Sequence, residues 1–142
     1  MPTLQGAQNL SDLYLARIRT DFRRAGVDNS LLRNSRFHTF QTTVLVISGI
    51  AYNGTFNLNL ASGFNNNATL RYLMFFDRTT LPVLGAVPIQ SIPVNPVQEF
   101  SWSPPQDGLI FEAACVFGLS TTPVTFTASA ADLFMRIEGI AL

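Results

Sequence analysis

Apolar positions along the chain follow two different periods. Between Asn9 and Gly26, the residues Leu10, Leu13, Tyr14, Ile18, Phe22 and Ala25 recur at helical spacing and define one face. Asn9 or Ser11 is placed to cap the start, Asp12 falls in the first turn, Arg23 and Arg24 in the last, and Gly26 suits the position just past the end. One amphipathic helix is predicted there, within an N-terminal arm over residues 1–35. No second segment of comparable helical period follows.

From Phe37 onward the period drops toward two, in β-branched and aromatic runs separated by Gly, Pro and Asn. Strands are predicted over residues 36–48, 55–60, 69–76, 83–87, 89–92, 97–102, 109–117, 124–128 and 133–140. Phe56, Leu58 and Leu60 alternate with Asn57 and Asn59, which predicts an inward apolar face and an outward row of amides. The 109–117 run is apolar on both faces apart from Glu112, as expected of a strand between layers or at a subunit contact. Turn chemistry is dense: Asn53-Gly54, Gly63 followed by Asn65 to Asn67, Pro104-Pro105-Gln106-Asp107-Gly108, and Thr122-Pro123. Because proline cannot donate to a ladder, Pro82, Pro88, Pro93 and Pro96 mark residues 81–96 as an edge strand or a long loop. The expected fold is mainly β: an antiparallel β-sandwich, jelly-roll-like, over residues 36–142, preceded by the short helical arm.

Composition sharpens the expectation of assembly. Hydrophobic residues make up 47% of the 142 and charged residues 13%, so ionised groups can cover little of the surface. Twelve Phe, three Tyr and one Trp are more aromatic area than one small interior readily holds. The formal net charge is zero, which removes the repulsion that keeps monomers apart. A homo-oligomer is expected. Residues 1–7 show no basic segment leading into an apolar core, and the longest apolar run, 44–51, contains Ser48 and Gly49 and falls short of the roughly 18 residues that a membrane helix needs. The expectation is a soluble chain with no membrane partner.

Groups that carry chemistry are sparse. His38 is the only histidine and Cys115 the only cysteine, so the clustered ligands of a zinc site cannot be assembled, and no metal or other cofactor is expected. No Gly-x-Ser-x-Gly elbow accompanies His38, which is better explained as a strand histidine at a sheet edge or interface. Cys115 lies among Ala113, Ala114, Val116 and Phe117 and reads as a buried small hydrophobe. The spacing of Glu99, Asp107, Glu112, Asp132 and Glu138 singles out no acid–base pair; they are expected to be solvated or to partner Arg71, Arg78 and Arg136. Phosphate-cradling glycine loops are absent. An enzyme is not expected. The patterns Asn9-Leu10-Ser11, Asn53-Gly54-Thr55 and Asn67-Ala68-Thr69 match glycosylation acceptors, which matters only in a secreted eukaryotic chain.

Charge is unevenly divided. Residues 1–40 carry Arg17, Arg19, Arg23, Arg24, Arg33 and Arg36 against Asp12, Asp21 and Asp28, whereas the rest has three Arg and six acids. These six arginines are the candidate partner-binding residues. A basic arm can neutralise phosphates, but the interspersed aspartates favour docking on an acidic protein surface or a neighbouring subunit, or equally an ordinary solvated helix face, over nucleic acid. Lysine is absent altogether.

A short, Lys-free chain with such an arm and a Phe-, Thr- and Asn-rich β-sandwich resembles the small virion proteins of tailed bacteriophages, capsid decoration or cement proteins in particular. The resemblance is one of character across the whole chain. It implies a jelly-roll or related sandwich, often trimeric, that bridges neighbouring major capsid subunits, in a virion assembled in the host cytoplasm. The expected function is therefore structural reinforcement of a capsid shell by a homo-oligomer, with a trimer preferred. The alternative is a carbohydrate- or receptor-binding module of a phage tail fibre or spike, with Tyr52, Tyr72 and Trp102 beside the Asn cluster as a sugar platform. A third class, a small sugar isomerase on a cupin-like barrel, is disfavoured by the missing histidine ligands.

Overall fold

The structure, a computed structural model, describes residues 37–142. The helix expected over residues 9–26 and all six arginines of the arm lie outside the described residues. The described residues form nine strands: β1 (Phe37–Gln41), β2 (Ser48–Tyr52), β3 (Phe56–Asn65), β4 (Arg71–Asp77), β5 (Gln90–Val94), β6 (Gln98–Trp102), β7 (Leu109–Phe111), β8 (Cys115–Ser120) and β9 (Leu133–Ala141). They are mainly β, with no helix among them. One antiparallel sheet has the order β1-β9-β3-β6, with β7 also pairing with β3, and the other has the order β2-β8-β4-β5.

Strand alternation fixes which side chains meet between the sheets. On β9, Leu133, Met135 and Ile137 are buried while Phe134, Arg136 and Glu138 face outward. Phe56, Leu58 and Ala61 of β3 and Phe111 of β7 join them from the first sheet; Leu73, Phe75, Cys115, Phe117 and Leu119 close the cluster from the second. The Phe75 ring stacks on Trp102 of the opposite sheet at 5.9 Å between centroids. The alternation expected on β3 breaks at Asn59. Leu58 faces Gly139 but Leu60 faces Glu138, so one extra residue is inserted there, and the inward positions shift from Phe56 and Leu58 to Ala61. Leu60 therefore does not continue the inward row.

The second sheet is covered on both sides. Its outer face carries Met74, Phe76, Ala114 and Val116, which pack with Phe126 and, at the margin, Ile47, Tyr72 and Ala86. The loops between β4 and β5 and between β8 and β9 supply this cover. They are tied together by hydrogen bonds from Gly85 N to the Phe126 carbonyl (2.9 Å) and from Phe126 N to the Ala86 carbonyl (2.8 Å). Every residue of β8 is buried as a result, which accounts for a run apolar on both faces.

Several sequence expectations are corrected by where the chain crosses between sheets. The predicted strand 36–48 is two elements: β1 ends at Gln41, residues 42–47 pass from the edge of one sheet to the edge of the other, and β2 starts at Ser48. Hydrogen bonds from Thr42 N to Met135 O and from Leu119 N to Ile47 O mark the two ends of that passage. The run 109–117 is likewise divided into β7 and β8, in different sheets. Residues 83–87 and 124–128 are loops rather than strands apart from an isolated bridge at Ala128, and of their apolar side chains Ala86 and Phe126 turn onto the second sheet. Asn53-Gly54 does form a bend, by which the chain passes from β2 to β3 in the other sheet. The proline-rich stretch behaves as expected: β5, with Pro93, is an edge strand, preceded by a long loop.

Candidate functional site

The groups able to do chemistry are tied into the frame of the fold. His38 sits on edge strand β1, and its Nε2 donates to the Ala51 carbonyl of β2 at 2.9 Å, lacing the two sheets at one side. Its ring lies edge-on to Tyr52 and Phe56. Cys115 is fully buried on β8; burial, reinforced by the negative charge of Asp77, pushes its thiol well above the ordinary value. It is a neutral apolar group there. Asp77, at the end of β4, accepts from the backbone N–H groups of Glu112 (3.0 Å), Ala113 (2.7 Å) and Ala114 (3.4 Å). Burial works to raise its pKa, but the three donors outweigh that effect and hold the carboxyl below its ordinary value. This carboxylate fixes the turn by which the chain leaves β7 and enters β8. Among the described residues, no three His, Cys, Asp or Glu side chains come together as a metal site. No helix among them is long and apolar enough to cross a membrane.

The arginines of the described region are engaged with hydroxyls, one backbone carbonyl and one carboxylate. Arg71 Nε donates to Ser129 Oγ at 2.9 Å, Arg78 to Thr80 Oγ1, and Arg136 pairs with Glu138 at 2.7 Å on the outer face of β9. Among the described residues, Glu138 alone of the expected carboxylate partners meets an arginine in this way.

The structure does not bring Tyr52, Tyr72 and Trp102 together. Tyr52 and Trp102 pack against the core between the sheets, Tyr52 on β2 and Trp102 on β6, whereas Tyr72 lies under the loop cover of the other face. Of the asparagine run, Asn65 and Asn67 bond internally while Asn66 is exposed. Asn65, fully buried, donates from Nδ2 toward the carbonyls of Thr69, Val94 and Asn95 and accepts from Asn67 N. Asn67 in turn donates to Asp132 at 2.7 Å and accepts from Thr69. This network ties together the chain at the ends of β3 and β5 and at the entry to β9.

Two surfaces stand out instead. The first is the loop cover, where Val83, Leu84, Val87 and Val124 are 60%, 79%, 74% and 71% exposed. Ala86 N donates to the Val83 carbonyl across a turn whose third residue is Gly85, at φ +84°. A side chain is strained at that φ, and the turn thrusts Leu84 into solvent. The second is a shallow depression of about 570 Å³ on the outer face of the first sheet, lined by Ser62, Phe64, Glu99, Ser101 and Phe134 with Gly63 and Phe100. Phe134 is 42% exposed. Sequence reasoning missed both. The signal for the first was present: no charged residue occurs between Arg78 and Glu99 or between Glu112 and Asp132, the two tracts that supply these loops. The second depends on the bulge at Asn59, which turns Ser62 and Phe64 outward and which the β-period alone does not reveal.

Comparison with known proteins gives no match: no family model, no curated protein and no solved structure is similar to this chain.

Proposed function

We propose that this chain is a structural protein of a virion, of the decoration or cement kind, that reinforces a capsid shell as a homo-oligomer and has no catalytic role. The observation that carries the reading is how the side chains are used. Among the described residues, the groups able to do chemistry hold turns and sheet edges together, while large apolar side chains stand in solvent on a chain of zero net charge. The strand order supports it. With β6 and β7 counted as one edge strand interrupted by the turn at Pro104 to Gly108, each sheet holds four strands, which supports reading them as a jelly roll, an architecture used by capsid domains and by lectins. Architecture by itself is analogy, and the exposed apolar surface supplies the physical argument. In this reading the arm, with Arg17, Arg19, Arg23, Arg24, Arg33 and Arg36, attaches to the major capsid protein, and a trimer is the preferred assembly.

Co-sedimentation of the purified chain with shells of its own virion, stripped of it, tests the proposal. Wild type is expected to bind, and replacing Arg17, Arg19, Arg23 and Arg24 by Gln is expected to weaken binding and flatten its salt dependence, because exposed charges are screened within about 10 Å at 0.1 M salt. Shells that leave wild type in the supernatant sink the proposal; unchanged binding by the Gln variant removes the role of the arginines.

The depression on the first sheet favours a second reading, a glycan- or receptor-binding module of a fibre. Two aromatic side chains beside the Glu99 carboxylate and the hydroxyls of Ser62 and Ser101 offer an apolar floor with polar acceptors. Glycan binding lost on Phe134→Ala, by a chain that ignores shells, would select this reading instead.

A further inference from the structure

We propose that the loop cover on the outer face of the second sheet, centred on Leu84 and Val124, is the surface through which one copy of this chain binds another. The inference deepens the assembly reading by naming the self-association face, and it leaves attachment to the shell to other residues. Three observations lead to a second copy as the occupant.

The first is charge. The loops between β4 and β5 and between β8 and β9 come from two tracts free of charged residues, and they are joined by the hydrogen bonds of Gly85 and Phe126 into one layer. A cyclic axis brings identical groups close to one another, so a charge near it faces a like charge. A charge-free surface meets its own copy with no such repulsion.

The second is chemical character. Interfaces between different, separately stable proteins are about as polar as the remaining surface, whereas obligate homo-oligomer contacts resemble a section through a core. Val83, Leu84, Val87 and Val124, all at least 60% exposed, form a surface of the second kind. A membrane is the other apolar partner. Membrane-seeking surfaces, however, combine apolar residues with Lys or Arg for headgroups and with Trp or Tyr at the interface, and neither tract supplies any of these to the patch.

The third is rigidity. Pro82 lies against Gly118 of β8, Phe126 is buried beneath the layer, and Ile89 N donates to Phe75 O at 2.8 Å. The apolar tips are thus presented on a fixed base, which lowers the ordering cost of association.

Sedimentation velocity of the full chain at micromolar concentration is the test, with Leu84→Asp and Val124→Asp singly and together. Both side chains are largely exposed, so the variants should keep the wild-type circular dichroism. Wild type is expected to associate, and each substitution to weaken association by about thirtyfold, the size of a hot-spot loss, with a monomer for the pair. Three results would overturn the inference: a wild type that is monomeric at about 100 μM, variants that associate as wild type does, or a monomeric wild type that binds phosphatidylcholine–phosphatidylglycerol vesicles through Leu84. The same variants in the shell assay separate the two ideas. Shell binding abolished by Leu84→Asp with association intact assigns the loop cover to the shell and overturns this inference alone, and a wild type that associates but ignores shells overturns the functional reading alone.

Discussion

Asp77 and Asn65 show how single polar side chains replace regular pairing where the chain changes sheets. Removing the Asp77 carboxylate frees the N–H groups of Glu112, Ala113 and Ala114, of which the first two belong to exposed residues that water can serve. Asp77→Ala is therefore expected to cost only about 1–2 kcal/mol in urea denaturation. Its pH dependence has a definite sign. The folded pKa is depressed, so the contribution is complete above the unfolded value of about 3.9 and is lost as the pH falls through the lower folded value. Wild type should lose stability relative to Asp77→Ala as the pH is lowered below about 4, and parallel stability curves for the two proteins would contradict the role given to the carboxylate. Asn65 is the harsher case, because it is fully buried and makes several bonds at once. Its burial makes one member of the asparagine run part of the frame, while Asn66 beside it stays exposed.

At the scale of elements, the β8 strand and its cover show what was readable in the sequence and what was not. The apolar character of both faces of residues 109–117 signals a position between layers, and β8 has one. The division of that run into β7 and β8 was hidden, since it rests on Asp77, more than thirty residues earlier in sequence, gripping the turn between them. The loops 83–87 and 124–128 have strand-like composition without being strands: Ala86 and Phe126 cover a sheet while Val83, Leu84, Val87 and Val124 stand in solvent, and hydrophobicity distinguishes neither from pairing. The bulge at Asn59 is invisible to a period-two reading, so the outward turn of Leu60, Ser62 and Phe64 could not be foreseen. Phe126 is the peg of the cover; its ring meets Phe76 at 5.7 Å in a perpendicular arrangement. Phe126→Ala is expected to cost about 3–5 kcal/mol if the whole domain depends on it, and less if the loops open alone. We expect the smaller, local effect, read by hydrogen exchange: the amides of residues 85, 86 and 126 should exchange faster while those of β8 and β4 facing the main core stay protected. Uniform acceleration across both sheets would show instead that the cover and the core unfold together.

At the scale of the whole molecule, the described residues assemble a core from both sheets. The cluster between the sheets draws on β2, β3, β4, β5, β7, β8 and β9, with Phe40 of β1 and Trp102 of β6 packed at its margin. Every strand of the two sheets has its antiparallel partner within residues 37–142. A domain of about 100 residues with such a core is large enough to be stable without disulfides or metals. A chain beginning at Phe37 is therefore expected to fold, with a β-type circular dichroism spectrum and a single cooperative transition. The cut must keep Phe37 and His38, because β1 pairs with β9 from Phe37 opposite Ile140 onward and His38 bonds across to Ala51. Its stability should lie within about 1 kcal/mol of the full chain, a change of roughly 4–8 °C in Tm for a domain of this size. The shortened chain should still self-associate if the loop cover is the contact, and it should lose the salt-sensitive shell binding assigned to the arginines of the arm. Loss of the cooperative transition on shortening would show that residues 1–36 complete the fold, and retained shell binding would move the attachment surface onto the β domain itself.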